Sequence, residues 1–236
     1  MRKVLMGGLA LLLMSGSAFA GPFADFEGSL RVAYGNYRAA LFMTNMGKAG
    51  EAEKALTDFA GRWATIESAW AATPPPQYAD ELSWKATLEQ VKATAQAAAD
   101  EVKSGDLAKA HSTLEAIRDQ IGDLHTRNGI MTFSDRMNAY HEVMEEALGL
   151  DLSKGDAANL DLVHEKAAVL DHLARAALAH PPADGRGNGE FDTLSAAFAA
   201  SVANLLDAVR SRDPAKIKPA LGKLKPLYSK LFLKFG

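Results

Sequence analysis

Two methionines and a histidine share one helical face near the middle of the chain. Met137, His141 and Met144, followed by Leu148, are spaced i, i+4, i+7 and i+11, which is the spacing of one side of an α-helix. Thioether sulfur and imidazole together suit Cu(I), or a haem in an apolar pocket. Methionines at this spacing also commonly fill gaps in a core, and one buried histidine can hydrogen-bond internally. The segment therefore predicts either a transition-metal site or a core stripe.

His125 is a second candidate metal ligand. It stands near the end of the stretch Ser104–Gly129, where apolar residues recur at helical spacing. Imidazole is the commonest protein ligand for transition metals, but a single histidine beside an apolar stripe is also often structural. Both interpretations stay open for His125.

These residues belong to a sequence that repeats itself at a constant offset of 107 residues. The stretches Ser104–Gly129 and Ser211–Gly236 share Ser, Asp, Ala-Lys, Leu, Leu and Gly at matching positions, and Phe26 matches Phe133 at the same offset. Such self-similarity is the signature of a duplicated structural unit. His125 has Phe232 at its matching position, so the two copies differ where the candidate ligand lies.

Each copy has the pattern of four helices. Glycine- and proline-rich segments break the helical spacing three times per copy. Short connections between helices of similar length favour antiparallel neighbours. We therefore predict an all-α fold of two tandem up-down-up-down four-helix bundles, 21–129 and 130–236.

Helix ends can be assigned from capping residues. Asp106 and Asp213 stand where an N-cap carboxylate accepts free amide protons. Gly129 is placed to end a helix in the left-handed conformation. A new helix is expected to begin near Thr132 or Ser134, which makes the connection between the bundles short and predicts that they pack closely.

Two ligand pockets are expected, because the first helix of a bundle begins where its last helix ends. Tyr34 and His141 match at the 107-residue offset, so each copy has a polar ring at this level. The side chains predicted to converge in pocket 1 are His125, Tyr34, Tyr37 and Arg38. Those predicted for pocket 2 are His141, Tyr140, Met144, Tyr228 and Phe232.

The last helical segment is basic. It contains no acidic residue after Asp213. Its lysines are Lys216, Lys218, Lys223, Lys225, Lys230 and Lys234. Lysines near a helix C-terminus complement the helix dipole. The run as a whole predicts a docking surface for an acidic partner or anionic headgroups.

The N-terminus predicts export. Arg2 and Lys3 precede an apolar run, Val4–Met14, and the tripeptide Ala18–Ala20, which together form a secretory signal peptide cleaved before Gly21. No later stretch approaches the roughly 18 apolar residues of a membrane helix. We expect a mature protein that is periplasmic or secreted and does not span the membrane.

Composition excludes several classes of function. Removing Arg2 and Lys3 lowers the 26 basic residues to 24 against 29 acidic ones, so the formal charge falls from −3 to −5, and nothing indicates nucleic-acid binding. The chain has no cysteine, which excludes thiolate metal sites, covalently attached haem and a cysteine nucleophile. No Ser/His/Asp arrangement or paired core carboxylates indicate an enzyme.

The stretch Ile121-Gly-Asp-Leu-His125 resembles the last helix of cytochrome c′, with isoleucine and leucine in the two cysteine positions of the C-x-x-C-H haem motif. The turn Ala72-Thr-Pro-Pro75 is similar to one in the soluble b-type cytochromes of the same fold. The resemblance implies that His125 is an axial iron ligand. In the b-type family a methionine early in the first helix is the other ligand, and no methionine lies between Ala33 and Asn36, where it would fall. The family also implies a possible homodimer.

Three functions follow as hypotheses. The first is an exported, non-enzymatic binding or accessory protein with a degenerate cytochrome c′-like double bundle, working in periplasmic metal or redox traffic. The second is direct copper or iron binding through His141, Met137 and Met144, or through His125. The third is non-covalent haem binding for electron transfer.

Overall fold

Helices make up most of the molecule. A computed structural model describes residues 21–153 and 155–236. The helices are α1 (Pro22–Asn45), α2 (Ala49–Trp70), α3 (Trp84–Ser104), α4 (Leu107–Arg127), α5 (Phe133–Leu148), α6 (Ala157–Leu178), α7 (Gly189–Arg210) and α8 (Pro214–Phe235). No strand occurs within the described residues, which confirms the predicted all-α fold. The predicted signal peptide, residues 1–20, lies outside them.

The helices pack as two groups of four. In the first group α1 contacts α2 and α4, and α3 contacts α2 and α4. The same ring of contacts joins α5 to α6 and α8, and α7 to α6 and α8. Consecutive helices pack side by side, as they do in antiparallel bundles. The division into domains 21–129 and 130–236, and the duplication behind it, stay predictions.

Capping side chains end or begin the helices where the sequence predicts. Asp106 accepts a hydrogen bond from the Lys109 amide at 3.1 Å, and Asp213 accepts one from the Ala215 amide at 2.9 Å. Each satisfies an amide that has no partner within its helix. Gly129 has a φ of +66°, in the left-handed region, and turns the chain from α4 towards α5.

A reciprocal cap begins α5. The Thr132 hydroxyl accepts a hydrogen bond from the Asp135 amide at 3.2 Å, while the Asp135 carboxylate accepts one from the Thr132 amide at 2.7 Å. This capping box fixes the start of the helix. It also holds the Asp135 carboxylate at the connection between the two groups of helices.

Aromatic packing at one end of the first bundle positions Tyr78. The short 3₁₀ turn Pro76–Tyr78 lies between α2 and α3. The Phe26 ring of α1 lies 5.4 Å from the Tyr78 ring and 5.0 Å from the Trp84 ring, measured between centroids. All three side chains are buried. The cluster holds the turn against α1 and brings the Tyr78 hydroxyl to the neighbouring Glu27.

The two groups of helices pack against each other. Helix α1 contacts α8, and the Arg31 guanidinium donates to the Phe235 carbonyl oxygen at 3.0 Å. The Asn138 amide of α5 donates to the Tyr34 hydroxyl of α1 at 3.1 Å. The close packing expected from the short connection is present, and it encloses cavities between the two groups.

Candidate functional site between the bundles

Three cavities that contain predicted pocket residues lie between the bundles, and one of them, of about 690 Å³, is lined by α4 and α5 and includes His141. The large cavity has a volume of about 840 Å³ and is lined by α1, the end of α4, the start of α5 and the connection from α6 to α7. The small cavity has a volume of about 200 Å³ and is lined by α1, α4, α5 and α8. Each therefore takes side chains from both halves of the chain.

His125 lies in the wall of the large cavity and is held by a carboxylate of the other bundle. Its side chain is 4% exposed, and its Nδ1 lies 2.8 Å from Asp135 Oδ2. Because a carboxylate only accepts, the Nδ1 proton donates this bond. The same carboxylate oxygen accepts from the Thr132 amide and hydroxyl. The capping box of α5 thus orients the imidazole of α4.

The opposite edge of the imidazole faces a second carboxylate. His125 Nε2 lies 3.6 Å from Glu27 Oε2 of α1, and it has no hydrogen-bond partner among the described residues. The Tyr78 hydroxyl donates to the other oxygen of Glu27 at 2.6 Å. We call Glu27, Tyr78, His125 and Asp135 the His125 cluster.

The charges of the His125 cluster stabilise one another. Burial alone lowers the pKa of an imidazolium, but the hydrogen bond and charge of Asp135, with the charge of Glu27, outweigh burial and raise the pKa of His125. Burial raises the pKa of Asp135, but its bond and attraction to His125, together with the hydrogen bonds from Thr132, lower it by more. Burial raises the pKa of Glu27 above its ordinary value. The arrangement therefore favours a protonated imidazole between two acids.

His141 lies in the wall of the small cavity and has cationic neighbours. Arg118 Nη1 donates to its Nδ1 at 3.3 Å, and its Nε2 lies 3.4 Å from Glu145 Oε1. The Tyr228 ring lies 5.2 Å away. Burial, followed by the charges of Arg118 and Lys225, lowers the pKa of His141. Its imidazole is therefore held neutral.

The predicted methionine ligands lie in the core of the second bundle. Met137 and Met144 are 0% exposed. His141 is only half-buried, and both of its ring nitrogens face charged side chains of the protein. Among the described residues, no group of three or more His, Asp or Glu side chains is placed to hold a metal ion. The metal-site prediction for Met137, His141 and Met144 stays a prediction.

The residues of predicted pocket 1 separate between the two cavities. His125 and Tyr34 line the large cavity, whereas Arg38 lines the small one. Tyr37 is wholly buried and lines neither. Arg38 lies in a different cavity from the predicted one. Helix α1 packs against α8 as well as against its own bundle, so the Arg38 guanidinium faces Phe232 of α8.

The residues of predicted pocket 2 also divide. His141, Tyr228 and Phe232 line the small cavity. Tyr140 and Met144 are wholly buried and do not line it. The Tyr140 and Tyr228 rings stack with centroids 5.8 Å apart, so Tyr140 supports the wall from behind.

The environment of His125 fits haem poorly. The ring nitrogen that would face the iron, Nε2, is enclosed, and the Glu27 carboxylate lies 3.6 Å from it. Iron could reach Nε2 only if Glu27 moved away. A metal ion held jointly by His125 and Glu27 is compatible with the same geometry, because two ligands of one ion lie about this far apart.

The lysine side chains of α8 are exposed along its length. Lys225 pairs with Glu145 at 2.8 Å and Lys234 with Glu190 at 3.2 Å. The other four exposed lysines of α8 are Lys216, Lys218, Lys223 and Lys230.

No helix within residues 21–153 and 155–236 is long and apolar enough to cross a membrane.

Comparison of the chain with protein-family models, with curated proteins and with solved structures gives no match. The resemblance to cytochrome c′ therefore stays a prediction. The large cavity and its buried polar cluster are the features on which a functional proposal can rest.

Proposed function

We propose that the protein is an exported, non-enzymatic binding protein that holds a largely apolar small molecule in the large cavity. The observation that supports this best is the cavity itself. Its volume of about 840 Å³ falls within the range of about 300 to 1,000 Å³ that is usual for small-molecule sites. Its wall is mostly apolar, with side chains such as Phe23, Leu30 and Ile121 around a few buried polar groups.

The His125 cluster would orient the ligand. Glu27 Oε2 lies too far from His125 Nε2 for a hydrogen bond, so it can accept one from a ligand hydroxyl or amine. Asp135 holds the imidazole in one orientation. An apolar ligand with one hydrogen-bond donor next to Glu27 would contact the apolar wall and donate a hydrogen bond to the cluster.

The wider role that we propose is in periplasmic metal or redox traffic, in which the exposed lysines of α8 dock an acidic partner. The traffic role rests on the resemblance to cytochrome c′. The docking role is supported by the exposure of Lys216, Lys218, Lys223 and Lys230 along one helix.

The ligand can be sought directly by native mass spectrometry of the purified full chain, followed by solvent extraction. Ala24 lines the large cavity and is exposed, so Ala24→Trp should obstruct it. Ala215→Trp, at an exposed position in the first turn of α8, is the matched control. We expect bound mass in the wild type and in Ala215→Trp, and its loss in Ala24→Trp. Equal bound mass in all three proteins would reject the site.

Metal binding is the second candidate, and one observation favours it at His125. Its Nδ1 is held by a carboxylate while its Nε2 has no hydrogen-bond partner among the described residues, as in histidines that bind metals. Cu(I), Cu(II), Zn(II) and Fe(II) should be titrated against the wild type, His125→Ala and His141→Ala. Unchanged affinity in both variants would exclude these sites. A Soret band in the purified protein would instead favour haem.

A further inference from the structure

Arg38 is a buried cation without a carboxylate partner among the described residues. Its residue is 5% exposed, and neither Nε nor Nη1 has a hydrogen-bond partner there. Nη2 makes one long contact, 3.5 Å, to the Lys234 carbonyl oxygen. An arginine carries five N–H donors, and a buried charge is costly unless it is paired. The side chain therefore lacks most of the partners that its position requires.

Aromatic rings only partly compensate the charge of Arg38. Its Cζ lies 5.7 Å from the centre of the Tyr34 ring and 5.8 Å from that of Phe232. Such contacts contribute modestly and leave the N–H donors unsatisfied. Burial, followed by repulsion from Arg31, lowers the pKa of Arg38 to about 10. The guanidinium is still protonated at neutral pH.

Arg38 lines the small cavity, where the carboxylates already have cationic partners. Glu145 pairs with Lys225 at 2.8 Å, and Glu115 lies 3.8 Å from Arg118. Apart from its histidines, the lining contains the cations Arg38, Arg118 and Lys225 against these two carboxylates. The described wall thus has one positive charge in excess.

We infer that the small cavity binds a small oxyanion, with Arg38 as its main ligand and Arg118 as a second cation. Guanidinium groups bind carboxylate, phosphate and sulfate oxygens through paired N–H donors. A volume of about 200 Å³ limits the ligand to a few heavy atoms. The source is either inorganic phosphate or sulfate, or a small organic carboxylate whose apolar part contacts Leu41, Phe42 and Leu233.

Binding involves a local rearrangement of Arg38. Its Nε and Nη1 atoms are enclosed in this conformation, so the anion engages the guanidinium after it turns into the cavity that its side chain lines.

The inference does not rest on the proposed ligand in the large cavity, since its two cations, Arg38 and Arg118, line the small cavity and not the large one. Its test is thermal unfolding and isothermal calorimetry of the full chain, titrated with sodium phosphate, sulfate, acetate or benzoate against chloride at equal ionic strength. We expect saturable stabilisation by at least one oxyanion. A preference for phosphate and sulfate identifies an inorganic ligand, and a preference for benzoate identifies an organic carboxylate.

Variants assign the effect to Arg38. Arg38→Met should weaken anion binding by about tenfold or more, since a hydrogen bond to a charged group has about that effect. Without anion, Arg38→Met should be at least as stable as the wild type, because an unpaired buried charge is removed. Arg118→Gln, at a half-buried position, should weaken binding less. Arg210→Met, at an exposed arginine paired with Asp207, is the matched control and should bind normally.

Two results would overturn the inference. One is identical stability of the wild type in all four oxyanions and in chloride. The other is anion stabilisation that survives in both Arg38→Met and Arg118→Gln, which would place the anion elsewhere. If Arg38→Met does not fold, undiminished binding by Arg118→Gln alone overturns the inference.

Discussion

His125 and His141 both lie between the bundles, yet their surroundings shift their pKa values in opposite directions. The imidazole of His125 lies between the carboxylates of Glu27 and Asp135, which raise its pKa. The imidazole of His141 receives a hydrogen bond from Arg118, and burial with that positive charge lowers its pKa. Two residues of one type, at one interface, are thus prepared for opposite charge states.

The difference shows that charge at this interface depends on which helix supplies the neighbour. Near His125 the start of α5 provides the carboxylate of Asp135, and near His141 the middle of α4 provides the guanidinium of Arg118. The first cluster places one imidazole between two carboxyl groups, whereas the second retains a surplus cation, Arg38. Substitutions in the two clusters, and changes of pH, should therefore have different effects.

The largest effect should come from Asp135→Ala. It leaves a protonated imidazole buried with one distant carboxylate, and breaking such a pair costs about 3 to 5 kcal/mol of unfolding free energy. Asp213→Ala removes an N-cap that has no histidine attached and should cost only about 1 kcal/mol. Urea unfolding of both variants measures the difference. Equal losses would mean that the Asp135–His125 bond adds nothing beyond capping.

The two histidines should give stability opposite pH dependence. The raised pKa of His125 means that its contribution is complete below pH 6.5, the ordinary value, and is lost as pH rises through the folded value. The lowered pKa of His141 means that its contribution is complete above pH 6.5 and is lost as pH falls. Each slope can reach at most about 1.4 kcal/mol per pH unit.

Unfolding free energies measured across this range should separate the two histidines. His125→Gln should flatten the decline above pH 6.5, and His141→Gln the decline below it. Glu27, whose pKa is also raised, contributes a loss that begins above pH 4.5, and that loss is present in both variants. The same slope changes in both variants would contradict the opposite shifts.

Removing a tyrosine hydroxyl should have a smaller effect on stability, and the effect should differ between the two clusters. Tyr78→Phe removes a donor from half-buried Glu27 and should cost about 1 to 2 kcal/mol. The Tyr140 hydroxyl has no partner among the described residues, so Tyr140→Phe should be neutral or slightly stabilising. Thermal unfolding measures both. A larger loss for Tyr140→Phe would reveal a partner for that hydroxyl.

The smallest effect should come from Lys225→Met. Lys225 helps to lower the pKa of His141 from an exposed position, so its removal should raise that pKa slightly, with little effect on stability. Lys230→Met, further along α8, is the control. NMR titration of the His141 ring protons reports the shift. If the two variants give the same His141 pKa, Lys225 does not contribute to its shift.

Local signals predict the helices and their ends. Caps such as Asp106 and Asp213 act within three residues, so their effect follows from the sequence alone. The start of α5 at Thr132 is predictable for the same reason. The spacing of Thr132 and Asp135 is also that of a capping box. This spacing is the one sequence feature that indicates that the Asp135 carboxylate is held at the start of α5.

Contacts across the molecule could not be predicted. Glu27 is 98 positions before His125, and nothing in its local pattern indicates a buried acid. The expected pockets assumed that each bundle closes its own end. Packing of α1 against α8 instead places Arg38 beside Phe232, because the sequence pattern of a helix does not say which of two bundles its flank will contact.

The hydrogen bond between Arg31 and the Phe235 carbonyl joins residues 204 positions apart. It brings helix α1 next to the end of helix α8. Arg31 lies nine residues after Pro22, or about 14 Å along the helix at 1.5 Å per residue. A linker of about six residues can span about 20 Å and could join the two ends. A circularly permuted chain, opened between α5 and α6, would then keep every helix intact and begin and end within the second bundle.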